Sequence, residues 1–207
     1  IQVDPGKTTL IKAKVRNTSK QTLPITVRLE DFTATGDEGQ IALSKEGPWT
    51  ISAWTTLSTK TFNLTPGESK EVTATINVPK DKTAGGRYGS FVFGIGAPDT
   101  NGSAAAVAQE VASLFLIRIS GPVEEKLSLV QFKAPSFIEF GPVPLDMKFK
   151  NDGNVYIKTT GLINITNLFG QKTADVVVNP TNVFPDDERI IHTELDQWLL
   201  FGQYNAT

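Results

Sequence analysis

The stretch Leu64-Thr65-Pro66-Gly67-Glu68-Ser69-Lys70-Glu71-Val72-Thr73-Ala74-Thr75-Ile76-Asn77-Val78-Pro79 decides how this chain folds. A Pro-Gly turn feeds a segment in which Val72, Ala74 and Ile76 alternate with polar residues. In an extended strand, alternate side chains point to one face, so these three form an apolar stripe. The phrase recurs at the same offsets. Pro5-Gly6 is followed by Ile11, Ala13 and Val15, and Pro185-Asp186 by Ile191, Thr193 and Leu195. The ends of two strands echo each other as well, since Lys14-Val15-Arg16-Asn17 is matched by Lys148-Phe149-Lys150-Asn151. A proline turn opening a period-two strand belongs to β-sandwiches, and its repetition predicts two tandem modules.

Working outward, the first module is expected to contain strands at 8–16, 21–32, 41–43, 62–64, 70–78 and 88–95. Pro24 demotes part of the second of these to an edge or a bulge. The stretch 46–56, with Pro48, Trp49 and Trp54, is the least regular part of this half. The run 104–119 reads two ways: its alanines favour helix, whereas Leu114-Phe115-Leu116-Ile117-Arg118-Ile119 favours strand. A closing strand from about Val107 is expected, with 104–108 left open between the two forms. Gly121-Pro122 breaks the ladder and sets the boundary, giving modules at 1–121 and 122–207. The second module is read as strands at 126–132, 137–140, 145–150, 155–159, 162–165, 173–178 and 189–195. Asn151-Asp152-Gly153-Asn154 is read as a hairpin turn needing positive φ. Seven or so strands with regular turn signals make each module an immunoglobulin-like sandwich, so the predicted fold class is all-β, two tandem immunoglobulin-like β-sandwich domains.

Composition narrows the function. The chain of 207 residues carries 20 basic and 22 acidic residues, a net charge of -2, which gives no basic face for nucleic acid. The absence of cysteine excludes disulfides, thiolate metal sites and a thiol nucleophile. No apolar run approaches the roughly 20 residues of a membrane helix, so membrane contact is expected only through segments outside this chain. The opening at Ile1 and the closing stretch Phe201-Gly202-Gln203-Tyr204-Asn205-Ala206-Thr207 read as a processed piece whose last strand is still in progress. Asn-Xaa-Ser/Thr triplets at Asn17, Asn63, Asn101, Asn164 and Asn205 are the kind that Thr-rich strands and Asn-rich turns generate, and support an exterior location weakly.

The residues resemble a specific family, bacterial cell-surface proteins built like the peptidoglycan-binding domain of WxL-interacting proteins, followed by a second immunoglobulin-like, chaperone-like domain. In the first half the resemblance rests on Pro5-Gly6, Val15-Arg16-Asn17-Thr18-Ser19, Asp31, Gly39, Trp54, Leu64-Thr65-Pro66-Gly67-Glu68, Ile76-Asn77-Val78-Pro79-Lys80 and Gly85-Gly86-Arg87-Tyr88-Gly89. In the second half it rests on Lys150-Asn151-Asp152-Gly153-Asn154, Phe169-Gly170, Phe184-Pro185, Arg189 and Gly202-Gln203-Tyr204. The resemblance implies an extracellular protein of the bacterial surface, with an export signal ahead and a membrane anchor behind.

No catalytic, metal or cofactor site is expected. His192, the only histidine, lies out of phase with Ile191 and Thr193 on a strand and reads as solvent-facing. The acidic pairs and triplet at Asp37-Glu38, Glu124-Glu125 and Asp186-Asp187-Glu188 sit at turns and lack the spaced ladder of a calcium loop. Gly85, Gly86, Gly89, Gly94 and Gly96 lack the Lys-Ser/Thr pair and following helix of a phosphate loop. Trp49, Trp54 and Tyr88 carry the ligand hypothesis, because aromatic faces stack on the apolar faces of sugar rings. The competing reading of the two tryptophans is a sandwich core, and Trp198 reads as a cover for the second core. The expected function is therefore a non-enzymatic structural and adhesive module that contacts cell-wall glycan. The alternative is a module that recruits another surface protein by strand addition at an exposed edge, with Pro24 and 204–207 as the candidate edges.

Overall fold

The computed structural model describes residues 1–44, 47–95, 109–198 and 202–207. The helix-or-strand question over 104–108 lies outside the described residues. Two compact units emerge, one of 1–33 with 42–122 and one of 34–41 with 123–207. In chain order the first half contributes β1 (Gln2–Val3), β2 (Thr8–Arg16), β3 (Leu23–Thr35), β4 (Gln40–Ser44), β5 (Thr55–Leu57), β6 (Thr61–Leu64), β7 (Ser69–Asn77), β8 (Gly85–Ile95) and β9 (Gln109–Ile119). The second half contributes β10 (Leu127–Lys133), β11 (Val143–Asn151), β12 (Ile157–Lys158), β13 (Gly161–Asn167), β14 (Lys172–Val178), β15 (Asn182–Val183), β16 (Glu188–Leu195) and β17 (Tyr204–Ala206). The protein is all-β and consists of two tandem immunoglobulin-like sandwiches.

In the first unit, a sheet ordered β1-β9-β8-β3-β4, with β6 beside β3, faces a sheet ordered β2-β7-β5. Period-two alternation fills the space between them. Ile25 and Val27, Phe91 and Phe93, and Phe115, Ile117 and Ile119 meet Ala13, Val72, Ala74 and Ile76 in one cluster. Fully burying an aliphatic or phenyl side chain is worth about 1.5–3 kcal/mol, so this cluster is the main source of stability in the unit. Gly89 is small by necessity, because an added Cβ would run into Phe115 and Ile51. In the second unit, β10-β11-β16 and β14-β13-β17 enclose Leu145, Met147, Ile191 and Leu195 against Ile163, Ile165, Val176 and Val178. The small β12–β15 ladder completes it.

The echoed asparagines are the same device built twice. Asn17 Nδ2 donates to the carbonyls of Gln21 (2.7 Å) and Leu64 (2.9 Å), while its Oδ1 accepts from the Ser19 N–H at 2.9 Å. Asn151 Nδ2 donates to the carbonyls of Val155 (2.8 Å) and Val183 (2.9 Å), and its Oδ1 accepts from the Gly153 N–H at 2.9 Å. Their backbones repeat too. Asn17 exchanges bonds with Glu68 and Gly67, as Asn151 does with Asp187 and Asp186. The turn Pro66-Gly67 thus corresponds to Pro185-Asp186, with Gly67 at φ 79° and Asp186 at φ 60° in the left-handed region. Burial explains the choice of residue: at 2% and 0% exposure, only a carboxamide offers two donors and an acceptor without carrying charge. The sequon at Asn17 is closed to glycosylation in the folded chain for the same reason.

Two expectations are corrected. Residues 137–140 form no strand, and Phe137 and Phe140 are exposed in the connection between β10 and β11. Asn151–Asn154 is not a hairpin turn: β11 pairs with β10 and β16, β12 pairs with β15, and no positive φ occurs at 152–154. Gly153 is instead required by a close approach, since its Cβ would strike the Glu124 carbonyl. Pro24 does sit at an edge: β6 pairs with Leu23–Thr26 on one side, while the β8 register starts only at Ile25, so proline's missing donor falls where that ladder has not begun.

Asn17→Ala and Asn151→Ala each leave two carbonyls and an N–H without their side-chain partner, and are expected to lower unfolding free energy by about 3 kcal/mol. Asp186→Gly relieves the left-handed backbone and is expected to cost nothing or to stabilise by up to about 1 kcal/mol. Denaturant midpoints measure all three.

Candidate functional site

Trp49 and Trp54 lie on the connection from β4 to β5, where Gly47 and Pro48 interrupt any ladder. The segment is nonetheless held firmly. Asp31, on the inner face of β3 in phase with Ile25 and Val27, accepts from the N–H of Ile51 (2.6 Å) and of Ser52 (2.8 Å), and from the Ser52 hydroxyl. Three donors offset the cost of burying that carboxylate. Ile51 is fully buried, its carbonyl accepts from the Trp54 N–H at 3.1 Å and the Thr55 hydroxyl at 2.9 Å, and Ser52–Trp54 forms a 3₁₀ turn. From the other side, the Tyr88 N–H donates to the Trp49 carbonyl at 2.9 Å.

Between the indoles lies a cation. Arg87 projects from the inner face of β8 in phase with Phe91 and Phe93 and is 3% exposed. Its guanidinium carbon is 5.7 Å from the Trp49 ring centre and 5.8 Å from that of Trp54, within reach of cation–π attraction. Nη1 donates to the Gly86 carbonyl at 2.6 Å and Nη2 to the Thr83 carbonyl at 3.2 Å, while buried Nε has no hydrogen-bond partner. Burial pushes the guanidinium below the usual arginine value. Lys82 Nζ stands 5.1 Å from the Trp54 ring centre. Among the described residues, neither cation is paired with a carboxylate.

Of the three residues picked from sequence, Trp49 and Trp54 come together with partly exposed rings, and Trp54 also packs against the first core. Tyr88 points to the opposite face of β8, is 2% exposed, and lies 5.8 Å from Phe32. Arg87 and Lys82 were not picked as ligand contacts. The signal for Arg87 was its phase, a charge in register with two inward phenylalanines. Trp198 is not a cover for the second core: it is 73% exposed and stacks on Phe140 at 5.7 Å.

His192 is solvent-exposed. Within the second unit its Nδ1 lies 2.8 Å from Asp146 Oδ1, and its Nε2 lies 3.2 Å from Glu38 on the segment 34–41. Asp146 first, then Glu38, raises the imidazole above its ordinary value. Beside it Lys148 bridges Glu188 (2.7 Å) and Asp37 (3.1 Å). Among the described residues no group of three or more potential ligands converges to hold a metal ion, and no helix is long and apolar enough to cross a membrane.

With two sandwiches and an indole-framed cation in the first, the chain can be set beside known proteins. Residues 1–94 match the family model of the WxL Interacting Protein, peptidoglycan binding domain. The resemblance read from the turn and strand motifs of the first half is thereby shown, and the whole tryptophan and arginine cluster falls inside the match. No curated protein matches the chain. Solved structures similar to it include the class 5 fimbriae chaperone CfaA, with 16% identity over 100% of this chain and 94% of that one, at a TM-score of 0.47. Another is the CsuC-CsuE chaperone–tip adhesion subunit pre-assembly complex of Acinetobacter baumannii, with 10% identity, coverage of 94% and 86%, and a TM-score of 0.44. A third is the E. coli chaperone DraB, with 10% identity, coverage of 100% and 93%, and a TM-score of 0.44.

Asp31→Ala removes the acceptor for two N–H groups of the tryptophan-bearing segment and is expected to destabilise by about 2–3 kcal/mol, read from denaturant midpoints. For His192 the folded value is raised, so its stabilisation is complete below the unfolded histidine range and is lost as pH rises through the raised value. Exposure limits the effect to less than about 1 kcal/mol. His192→Gln is therefore expected to lower the unfolding midpoint at about pH 5 and to leave it unchanged at about pH 9.

Proposed function

We propose that the protein is a non-enzymatic, exported module of the bacterial cell surface that adheres to cell-wall glycan through Trp49 and Trp54. The observation that carries this reading is the coincidence of a peptidoglycan-binding family match over 1–94 with two partly exposed indoles on one pinned segment. Indole faces stack on the C–H faces of pyranose rings, and a segment fixed by Asp31 and Tyr88 loses little entropy on doing so. Tyr88 serves this site from beneath, through its backbone N–H, rather than by ring contact. The modules 1–121 and 122–207 act as a spacer, with the anchor supplied beyond the C-terminal end.

A second reading has one specific observation behind it. β9 pairs with β8 along its whole length, but on its other side Ile1 and β1 reach only residues 116–120. Among the described residues the remaining edge is uncovered and carries exposed Val111 and Leu114, which suits addition of a strand from another surface protein.

Pull-down with purified cell walls separates the two. Trp49→Ala and Trp54→Ala, each verified as folded by near-ultraviolet circular dichroism, are expected to reduce retention at least tenfold. Unchanged retention with both variants removes the glycan reading, and co-purification of a protein partner lost on Val111→Lys establishes the other.

A further inference from the structure

We propose that the cluster of Trp49, Trp54, Lys82 and Arg87 selects an oxyanion on the wall saccharide, so that the site reads negative charge as well as ring surface. This rests on the glycan reading given above and adds a ligand class to it. The argument starts from an imbalance. Asp31, the other charged group on the inner face, receives three hydrogen bonds, whereas Arg87 has two carbonyls and a hydroxyl in reach and a buried Nε with none. A buried cation without a counter-charge is costly to keep, and its positive field is poorly screened by water. That field emerges between two indoles that are partly open to solvent.

Lys82 supports the same direction. Its ammonium sits over the Trp54 indole rather than in an ion pair, and a half-exposed lysine there is placed to meet an anion that approaches across the ring. The exposed Asp81 in the same turn pairs with neither cation. A purely apolar stacking platform has no use for two uncompensated cations beneath and beside it. A platform for an acidic sugar does: the ring lies on the indoles and its anionic group points to Lys82, above the guanidinium. Arg87 acts at a distance, by charge, and needs no direct contact.

Two wall components carry such a group, the carboxylates of peptidoglycan and the phosphodiesters of wall-attached polymers, and their shared chemistry is a singly charged oxyanion next to a sugar. The test uses the full chain with three preparations of one cell wall: untreated, with carboxylates capped as amides, and with phosphodiester polymers stripped by acid. Retention is expected to fall at least tenfold on one treated wall, and which one identifies the source of the anion. Lys82→Gln is expected to weaken binding to untreated wall about three- to tenfold and to make no difference on the wall that lacks the anion. Arg87→Met is expected to do the same, and the surface position of Lys82 keeps the test meaningful should Arg87→Met unfold. Equal retention of the unaltered protein on all three walls, with binding still lost in Trp49→Ala, overturns this inference and leaves the glycan reading standing. No retention on any wall removes both.

Discussion

A buried carboxamide closing each sandwich is the constraint on which the rest depends. Asn17 and Asn151 each tie the end of one strand to a strand far away in sequence and to a proline-led turn, through the same set of side-chain and backbone bonds. Because its partners are non-local, such a residue fixes which strands face each other. Replacement by a charged or aliphatic residue leaves several buried backbone groups without partners, so the position tolerates little else. Because the turn that meets Asn17 leads directly into β7, the clasp also sets the register of the sheet that backs the tryptophan-bearing segment.

In the first unit a second polar device is built on that frame. Asp31 and Arg87 both lie on inner faces where alternation calls for apolar residues, and each violates the pattern near one end of its sheet. The carboxylate is fully engaged in holding Ile51 and Ser52, while the guanidinium is only partly engaged. A sandwich that merely needed closing at this end would do so with aliphatic side chains. The paired exceptions, one structural and one incompletely satisfied, are what set this end of the first unit apart and support the proposed site.

Much of the architecture was legible because it is encoded locally. The alternation in 8–16 and 69–77 and the Pro-Gly turns predict strands from neighbours along the chain, and the Asn echo predicts the duplication. What was misread depends on pairing that local pattern does not contain. Phe137-Ile138-Glu139-Phe140 has strand composition but finds no partner, and Asn151–Asn154 has hairpin composition but sits between strands that pair elsewhere. The contact of β1 with β9 is parallel and spans nearly the whole first half, beyond anything spacing shows. For the site, residue type picked out the indoles, whereas their use of Arg87 and the engagement of Asp31 required knowing which faces of β3 and β8 turn inward and which loop covers them. Trp198 looked like Trp54 in sequence and differs in standing 73% exposed, stacked on Phe140 rather than packed against a core.

The central claim is that the first unit, and specifically its pair of indoles, is where this protein meets the cell wall. The chain has three tryptophans, so three indole N–H resonances report on Trp49, Trp54 and Trp198 independently in a nitrogen-15 spectrum. Titration with solubilised wall fragments is predicted to shift the resonances of Trp49 and Trp54 together, with one affinity, and to leave Trp198 unmoved. A shift confined to Trp198, or none in any of the three while fragments remain bound, would contradict the account.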